Sequence, residues 1–214
     1  MSRRALTGNP CTRHRMSDQV KMATNMSIRS AIDSITEIMG LNGTRIVFRN
    51  IGLSHLVDNP PGYTWDPCIP TTEQVRIYLE LIPMVGLNGA VSIWRRIGHM
   101  NIKYVVEVGH AVDHLVSLPP DEKIQKALEL FTMGSGKGKV IINEQTGAAE
   151  LDLSDCLLCE GRMAQRPICS LYEGVMQYIA DWAYGKRIYS ARETSCMAKG
   201  DERCYFVLKK KGDS

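Results

Sequence analysis

Four residues in the C-terminal part of the chain have the types and spacing of a metal site. Cys169, Glu193, Cys196 and Cys204 follow the pattern C-x23-E-x2-C-x7-C. Zinc is commonly bound by four such ligands in a tetrahedron, and a site whose four positions are all filled by protein is structural rather than catalytic. The pattern therefore predicts that Zn2+ is the cofactor and that these four residues hold it.

The local sequence predicts elements that would bring these residues together. Residues 187–196 and 203–209 are rich in strand-forming residues, and Lys199, Gly200 and Asp201 between them are typical of a turn. A β-hairpin would place Cys196 next to Cys204. Cys169 would then join them from the start of the preceding helix.

Other interpretations of the cysteines remain open. They could be buried core thiols, since cysteine is often buried, or Cys196 and Cys204 could form a disulfide. A C-x2-C pair, Cys156 and Cys159, adds an alternative metal set in which these two thiols join Cys196 and Cys204. A C-x2-C pair alone can also be a redox couple.

Residues 156–207 resemble the C-terminal part of the 4-vinyl-reductase-type domain, also described as a hydrocarbon-binding domain. The residues that match its pattern are Cys169, Gly174, Gly185, Glu193, Cys196, Gly200, Asp201 and Cys204. The resemblance implies a module that senses or carries a ligand, as in effector domains of aromatic-responsive transcription activators. It also implies a fold similar to a TRAPP vesicle-tethering subunit, a homodimer, and zinc binding by the Cys, Glu, Cys, Cys set.

An internal repeat lies in the N-terminal half of the chain. The sequence Gly-Leu-Asn-Gly begins at Gly40 and again at Gly86, and each copy is followed by an arginine and an Ile-Gly pair that ends at Gly52 or Gly98. Glycine at the end of a helix accepts a positive φ. Each copy therefore predicts a helical hairpin, with one helix ending at the first glycine and the next element ending at the last.

Hydrophobic periodicity predicts helices over residues 27–39, 72–82, 121–133 and 171–184 and a hairpin over residues 140–153. The order favours an α+β fold, with helices packed on an antiparallel sheet. Pro83 is expected to end or kink the second helix. His110 and His114 would share a helix face, although a packing or surface role is more common for such a pair.

Composition and charge limit the class of protein. The chain has 214 residues, 44% of them hydrophobic, and a net charge of +3. No apolar run approaches the roughly 18 residues that span a bilayer. We therefore expect a soluble, cytoplasmic protein with no membrane span and no direct contact with nucleic acid.

The predicted organisation has three parts. Residues 1–17 form a flexible basic tail, residues 18–110 a helical part with the repeat, and residues 111–209 an α+β part that binds ligand and zinc. Residues 18–209 are expected to form one compact domain, in keeping with the chain length.

The leading functional hypothesis is a non-enzymatic, zinc-stabilised sensor or carrier domain for a hydrophobic small molecule, with a possible separate protein partner. The sequence shows no dinucleotide fingerprint and no nucleophile with a paired base. The alternatives are an enzyme or accessory factor in tetrapyrrole vinyl-group reduction, and a structural dimerisation or tethering module. Ligand-binding residues are not assigned by any motif.

Overall fold

The computed structural model describes residues 21–135, 138–154 and 156–211, so the predicted basic tail lies outside the described residues. The elements, in chain order, are β1 (Met22–Thr24), α1 (Asn25–Asn50), α2 (His55–Asp58), β2 (Pro67–Pro70), α3 (Thr71–Leu79), α4 (Leu81–Glu107), α5 (Pro120–Ser135), β3 (Lys139–Ile142), β4 (Ala149–Leu153), α6 (Ser170–Tyr184), β5 (Tyr189–Ser195) and β6 (Cys204–Lys210).

The fold is a mixed one in which helices pack on an antiparallel sheet, as the sequence predicts. The four-stranded sheet has the order β3-β4-β6-β5, and β1 and β2 form a separate antiparallel pair. Helices α5 and α6 pack on the sheet, α4 packs on α6, and α1 packs on α4. Buried apolar side chains from all these layers form a continuous core.

The repeat produces a kink in each long helix. Gly40 in α1 and Gly86 in α4 share a φ of 73°, with ψ values of 165° and 162°. The predicted helix end at the first glycine is confirmed in this sense. The predicted arrangement of the two segments as a helical hairpin stays a prediction.

The last glycines of the two copies have different roles. Gly52 has a φ of 80° and lies just beyond the end of α1, as predicted. Gly98 lies inside α4, which continues to Glu107. A Cβ atom at Gly98 would lie 1.9 Å from the backbone oxygen of Leu171. The second copy therefore supplies a close helix contact instead of a helix end.

Helices α4 and α6 cross with their backbones in direct contact. A Cβ atom at Gly174 of α6 would lie 2.0 Å from the backbone oxygen of Arg95, in addition to the contact at Gly98. Real Cβ atoms do not approach other heavy atoms so closely. This crossing leaves no space between the two helices, and it fixes the start of α6.

The connection between α3 and α4 has the predicted kink. The chain bends by 78° between the two helices, directly after Leu79, whose carbonyl Pro83 cannot hydrogen-bond, and Pro83 itself lies in the first turn of α4. Proline fits a first turn because backbone N–H groups there have no intrahelical partner. Within the described ranges, no single helix is long and apolar enough to cross a membrane, and only this bent pair together passes that test.

The predicted helix that carries His110 and His114 is wrong. His110 has a φ of 51°, which a right-handed helix does not allow, and a short 3-10 turn covers only Asp113–Leu115. His110 instead lies 3.1 Å from Asp113 in an exposed ion pair. The two histidines therefore do not share a helix face.

Candidate metal centre

Five cysteines from three separate parts of the chain meet in one buried cluster, which we call the cysteine cluster. Its members are Cys156, Cys159, Cys169, Cys196 and Cys204, and their side chains are between 0 and 4% exposed. All are free thiols, so the disulfide interpretation does not apply to them. Cys68, the remaining described cysteine, lies apart in β2 and is half-buried.

The hairpin of β5 and β6 positions two members of the cluster. Cys196 directly follows β5, and Cys204 is the first residue of β6. The connecting turn is closed by Gly200, with a φ of 96°, and by Asp201, whose Oδ2 atom accepts a hydrogen bond of 2.7 Å from the Cys196 backbone. The Met197 N–H group donates to the Cys204 sulfur at 3.4 Å.

Two further elements bring the other three thiols. Cys169 is the N-cap residue of α6. Cys156 and Cys159 lie in a turn after β4, closed by a 3.0 Å hydrogen bond from the Cys159 N–H group to the Cys156 carbonyl. The Cys159 sulfur lies 3.0, 3.6 and 3.4 Å from the sulfurs of Cys169, Cys196 and Cys204, and the Cys156 sulfur lies 3.3 Å from that of Cys169.

Glu193 of β5 points one carboxylate oxygen at a partner and leaves the other without one. Its Oε2 atom accepts a 2.7 Å hydrogen bond from the Cys169 N–H group. Its Oε1 atom is buried and has no hydrogen-bond partner among the described residues. Burial, and then the neighbouring Cys196, raise the pKa of Glu193 to about 10. A buried acceptor without a partner is costly unless a cation or a proton satisfies it.

Helix α6 supports the cluster through polar side chains on its buried face. Glu173 accepts a 2.8 Å hydrogen bond from the Glu193 N–H group and forms an ion pair with Arg95 of α4. Gln177 accepts a 3.2 Å hydrogen bond from the Ala191 N–H group. These bonds satisfy the outer edge of β5. The sequence reasoning missed Glu173 and Gln177, although two polar residues at positions i and i+4 of an apolar stripe are a recognisable signal.

The thiols share protons unevenly. Hydrogen bonds with Cys156 and Cys169 lower the pKa of Cys159, whereas those with Cys156 and Cys159 raise the pKa of Cys169. The bond with Cys159 raises the pKa of Cys196, but those with Cys169 and Cys204 outweigh it and bring it to about 6. The thiolate, and not the thiol, is the metal ligand. The lowered pKa values favour thiolates at Cys159 and Cys196, whereas contacts with Cys156 and Cys159 also raise the pKa of Cys204.

The geometry contains two compact groups of four donors. The first is the predicted set of Cys169, Glu193, Cys196 and Cys204, and the second consists of Cys156, Cys159, Cys169 and Cys204. Within each group the ligand atoms lie within 4.8 Å of one another. In the second group Cys169 takes the place that the alternative prediction assigned to Cys196. The metal role of all these residues stays a prediction.

Solved structures with a similar fold come from sensor domains. An oxygen-binding H-NOX domain related to soluble guanylate cyclases aligns over 88% of this chain and 95% of its own, with 17% identity and a TM-score of 0.58. An H-NOX protein from S. oneidensis in the Fe(II)NO ligation state aligns over 88% of this chain and 99% of its own, with 12% identity and a TM-score of 0.56. The phenol-responsive sensory domain of the transcription activator PoxR aligns over 76% of this chain and 90% of its own, with 19% identity and a TM-score of 0.52.

These neighbours contradict the prediction that Zn2+ is the cofactor. Structures of the H-NOX group are described by their heme and its Fe(II)NO ligation, and they share this fold over nearly nine-tenths of the chain. The cofactor of these neighbours is heme, and the zinc prediction is wrong on that finding. The presence of a metal-compatible cysteine cluster is a separate matter that the geometry itself supports.

The residues of this chain do not fit heme. Heme iron needs an axial ligand, most often histidine, cysteine or tyrosine, inside a cavity that encloses the ring. Among the described histidines, His55, His110 and His114 are exposed, and half-buried His99 packs edge-on against Tyr178. The groove beside His99 has a volume of about 210 Å³, below the roughly 300–1,000 Å³ of ligand pockets. The α4–α6 backbone contact closes the space beneath it.

A family model gives the remaining comparison. No curated protein matches the chain. The V4R domain model matches residues 150–210, which include β4, the whole cysteine cluster, α6 and the terminal hairpin. The resemblance read from the Cys-Glu-Cys-Cys pattern is thus confirmed: this segment is similar to the V4R domain, and the PoxR sensory domain is a structural neighbour of the chain.

Proposed function

We propose that the chain is a sensor or carrier domain that binds a hydrophobic small molecule, and that a metal ion in the cysteine cluster fastens the C-terminal hairpin to α6. The observation that carries the proposal is the fold shared with a phenol-responsive sensory domain, combined with the V4R match over the cluster. Oxygen-binding H-NOX domains share the same fold. Domains of this shape thus respond to ligands of different chemistry.

The support for a metal ion is local. Thiolates from the turn after β4, the start of α6 and the two ends of the β5–β6 loop meet at one point. A structural metal contributes its binding free energy to folding, because the unfolded chain holds no preformed site. An ion would also satisfy the Oε1 atom of Glu193. The identity of the ion is left to elemental analysis.

The support for a ligand site lies in the helical layer, which we define as α1, α3 and α4. The Tyr78 side chain is buried there, and its hydroxyl accepts hydrogen bonds from Asn101 at 2.9 Å and Gln74 at 3.4 Å. Asn101 in turn accepts a 2.8 Å hydrogen bond from the Ser34 hydroxyl of α1. Fully buried Trp94 packs beside this group and donates to the Tyr78 carbonyl at 2.8 Å. A few polar groups within an apolar shell are typical of small-molecule sites.

We place the ligand in this layer and not between α4 and α6, because the glycine crossing closes that space. The kinks at Gly40 and Gly86 and the bend between α3 and α4 are the points at which the layer would open. Opening at such joints is the usual route by which a helix layer admits a ligand to a filled core.

We also propose that the chain acts by binding and not by catalysis. The reactive groups that the structure concentrates are the thiols of the cysteine cluster, and these are at most 4% exposed. A substrate cannot reach them without unfolding of the hairpin.

A homodimer belongs to the proposal as well. It is supported by exposed apolar side chains of the repeat helices at Leu41, Ile46 and Val85. Light scattering measures the oligomeric state.

The test is thermal unfolding with two probes of equal size, phenol and toluene. A ligand at about 100 times its Kd stabilises the folded state by about 2.7 kcal/mol, which corresponds to a rise in Tm of several degrees. We expect Tyr78→Phe to weaken stabilisation by phenol more than by toluene, because only phenol offers a hydroxyl to the polar group. Tyr205→Phe, on β6, is the control. Absence of stabilisation by either probe, and by larger aromatics, would contradict the proposal.

A further inference from the structure

The cysteine cluster holds more donors than a single tetrahedral ion uses. Five thiols and the free Oε1 atom of Glu193 make six donors, whereas a four-coordinate ion takes four. With one ion in the group that contains Glu193, the thiols of Cys156 and Cys159 would remain buried without a role, and with one ion in the other group, Cys196 and Glu193 would remain. The two groups are not independent, because both contain Cys169 and Cys204.

We propose that the cluster is a binuclear centre in which two divalent thiophilic metal ions share the thiolates of Cys169 and Cys204. Cys156 and Cys159 complete the coordination of one ion, and Glu193 and Cys196 complete that of the other. Two tetrahedral ions need eight metal–ligand bonds. Two bridging thiolates supply four of them and four terminal donors supply the rest, so the six available donors match the requirement without remainder.

The distances agree with this arrangement. Metal–sulfur bonds of about 2.3 Å in a tetrahedron place neighbouring sulfurs roughly 3.8 Å apart. The two bridging sulfurs, of Cys169 and Cys204, are 3.8 Å apart. The sulfur of Cys159 lies 3.4 Å from that of Cys204, and the sulfur of Cys156 lies 3.3 Å from that of Cys169. Small expansions of these three contacts fit both tetrahedra. The sulfur of Cys159 also lies 3.0 Å from that of Cys169 and 3.6 Å from that of Cys196, a ligand of the other ion, so Cys159 must move away from both when two ions bind.

Glu193 gives independent support for an ion on the hairpin side. Its side chain is 9% exposed, it belongs to the same compact group as Cys196, and its Oε1 atom has no hydrogen-bond partner in the part of the chain that the structure describes. Oε2 is occupied by the Cys169 N–H group, which orients the carboxylate. Cys169 thus serves both ions through its sulfur while its backbone holds a ligand of one of them.

The inference rests on the metal part of the proposed function, and counting ions distinguishes the two. The measurement is elemental mass spectrometry of the full chain, purified in reductant, with all first-row divalent metals recorded against protein concentration. We expect two ions per chain. One ion per chain would overturn the binuclear centre and leave the single-metal proposal standing, and no metal, even after addition of Co2+, would overturn both.

Two variants make the count specific. Cys156→Ala removes a terminal ligand of one ion, so the count should fall from two to one while the hairpin ion stays. Cys68→Ala, outside the cluster, should keep two. If Cys156→Ala keeps two ions, the assignment of Cys156 is wrong. Cys159→Ala provides a second variant with the same expected loss, should Cys156→Ala not fold.

Reconstitution with Co2+ tests the bridging thiolates. Sulfur-to-cobalt charge-transfer absorption should rise until two equivalents are bound. Because bridged high-spin Co2+ ions couple magnetically, the paramagnetic resonance signal should fall between the first and second equivalents. A signal that doubles instead would show two separate ions and would overturn the bridges. Cys156→Ala should give an uncoupled signal with one equivalent.

Discussion

The cysteine cluster and the helical layer use the sequence in different ways. In the cluster, the residues that carry chemistry lie in one stretch of chain, and short elements of the V4R segment bring them together. In the helical layer, the recognisable motif is the glycine repeat, which shapes the backbone, while the polar groups Ser34, Tyr78 and Asn101 come from three helices without a motif. A metal cluster can thus be recognised from the sequence, whereas a ligand site built from packed side chains cannot.

The glycine repeat shows the same difference between local sequence signals and tertiary packing. Its first glycines adopt nearly identical backbone angles at Gly40 and Gly86, since φ is determined locally. Its last glycines differ, because Gly98 meets α6 and Gly52 does not. Equal sequence therefore produces equal local geometry and unequal tertiary roles.

The largest effect is expected at the cluster. Cys204→Ser removes a ligand from the centre of the site and should lower the free energy of unfolding by on the order of 4 kcal/mol, because loss of a structural metal is among the most damaging changes. Cys68→Ser, at a half-buried thiol in β2, should change it by less than about 1 kcal/mol. Urea denaturation measures both. Equal small losses would mean that the cluster is ordinary core.

The next effect concerns the joint between the two regions. Gly174→Ala puts a methyl group 2.0 Å from the Arg95 carbonyl, so α4 and α6 must separate. Overpacking of this kind costs about 3 kcal/mol. Gly62→Ala is the control, since its nearest neighbour, a Thr64 methyl, lies at 3.7 Å. Thermal unfolding checks the pair, and a tolerated Gly174→Ala would show that the crossing is looser than described.

The repeat should respond equally in its two copies. Gly40→Ala and Gly86→Ala each force a side chain into a φ of 73°, with open space around the new methyl group. The penalty is therefore in the backbone and should be about 2 kcal/mol in both. Chemical denaturation compares them. Costs that differ by more than about 1 kcal/mol would show that packing, and not local geometry, sets these kinks.

The smallest effect is a pH dependence in the helical layer. Burial raises the pKa of Tyr78 from 10.0 to about 12, whereas its hydrogen bonds with Asn101 and Gln74 act against the shift. Because the folded-state pKa is the higher one, this contribution to stability is fully present below pH 10 and is lost as the pH rises toward 12. Between those values Tyr78→Phe should lose less stability than the parent, by about 1 kcal/mol.

The comparison of pH profiles requires a matched tyrosine. Burial first, and then the hydrogen bond with Glu150, also raise the pKa of Tyr205 to about 12, so Tyr205→Phe should change the alkaline profile in the same direction. Denaturant melts at several alkaline pH values give both slopes. A steeper profile for Tyr78→Phe than for the parent would contradict the placement of Tyr78 in the buried polar group.

Much of the fold was predictable because its signals are local. The helix over residues 171–184 matches α6, and the hairpin at Thr146 and Gly147 matches β3 and β4, where Gly147 has a φ of 69°. The turn at Gly200 also agrees with the prediction. These elements depend on periodicity and turn residues that lie within a few positions of one another.

The errors arise where distant parts of the chain decide the outcome. Gly98 serves a helix crossing with α6, which no local pattern reveals. His110 has a positive φ in a turn. It and His114 therefore do not lie on one helix, and their i, i+4 spacing does not bring them to one face. Glu173 was missed because its partner, the edge of β5, is formed by tertiary structure.

Hydrogen exchange followed by mass spectrometry, with and without a strong chelator, tests the division between the two regions most directly. We expect removal of metal to speed exchange in the cluster segments, residues 156–169 and 193–204, while α1 keeps its protection. This result would show that the metal secures the hairpin and that the helical layer stands on its own packing. Unchanged exchange in the cluster segments after removal of all metal would contradict the account.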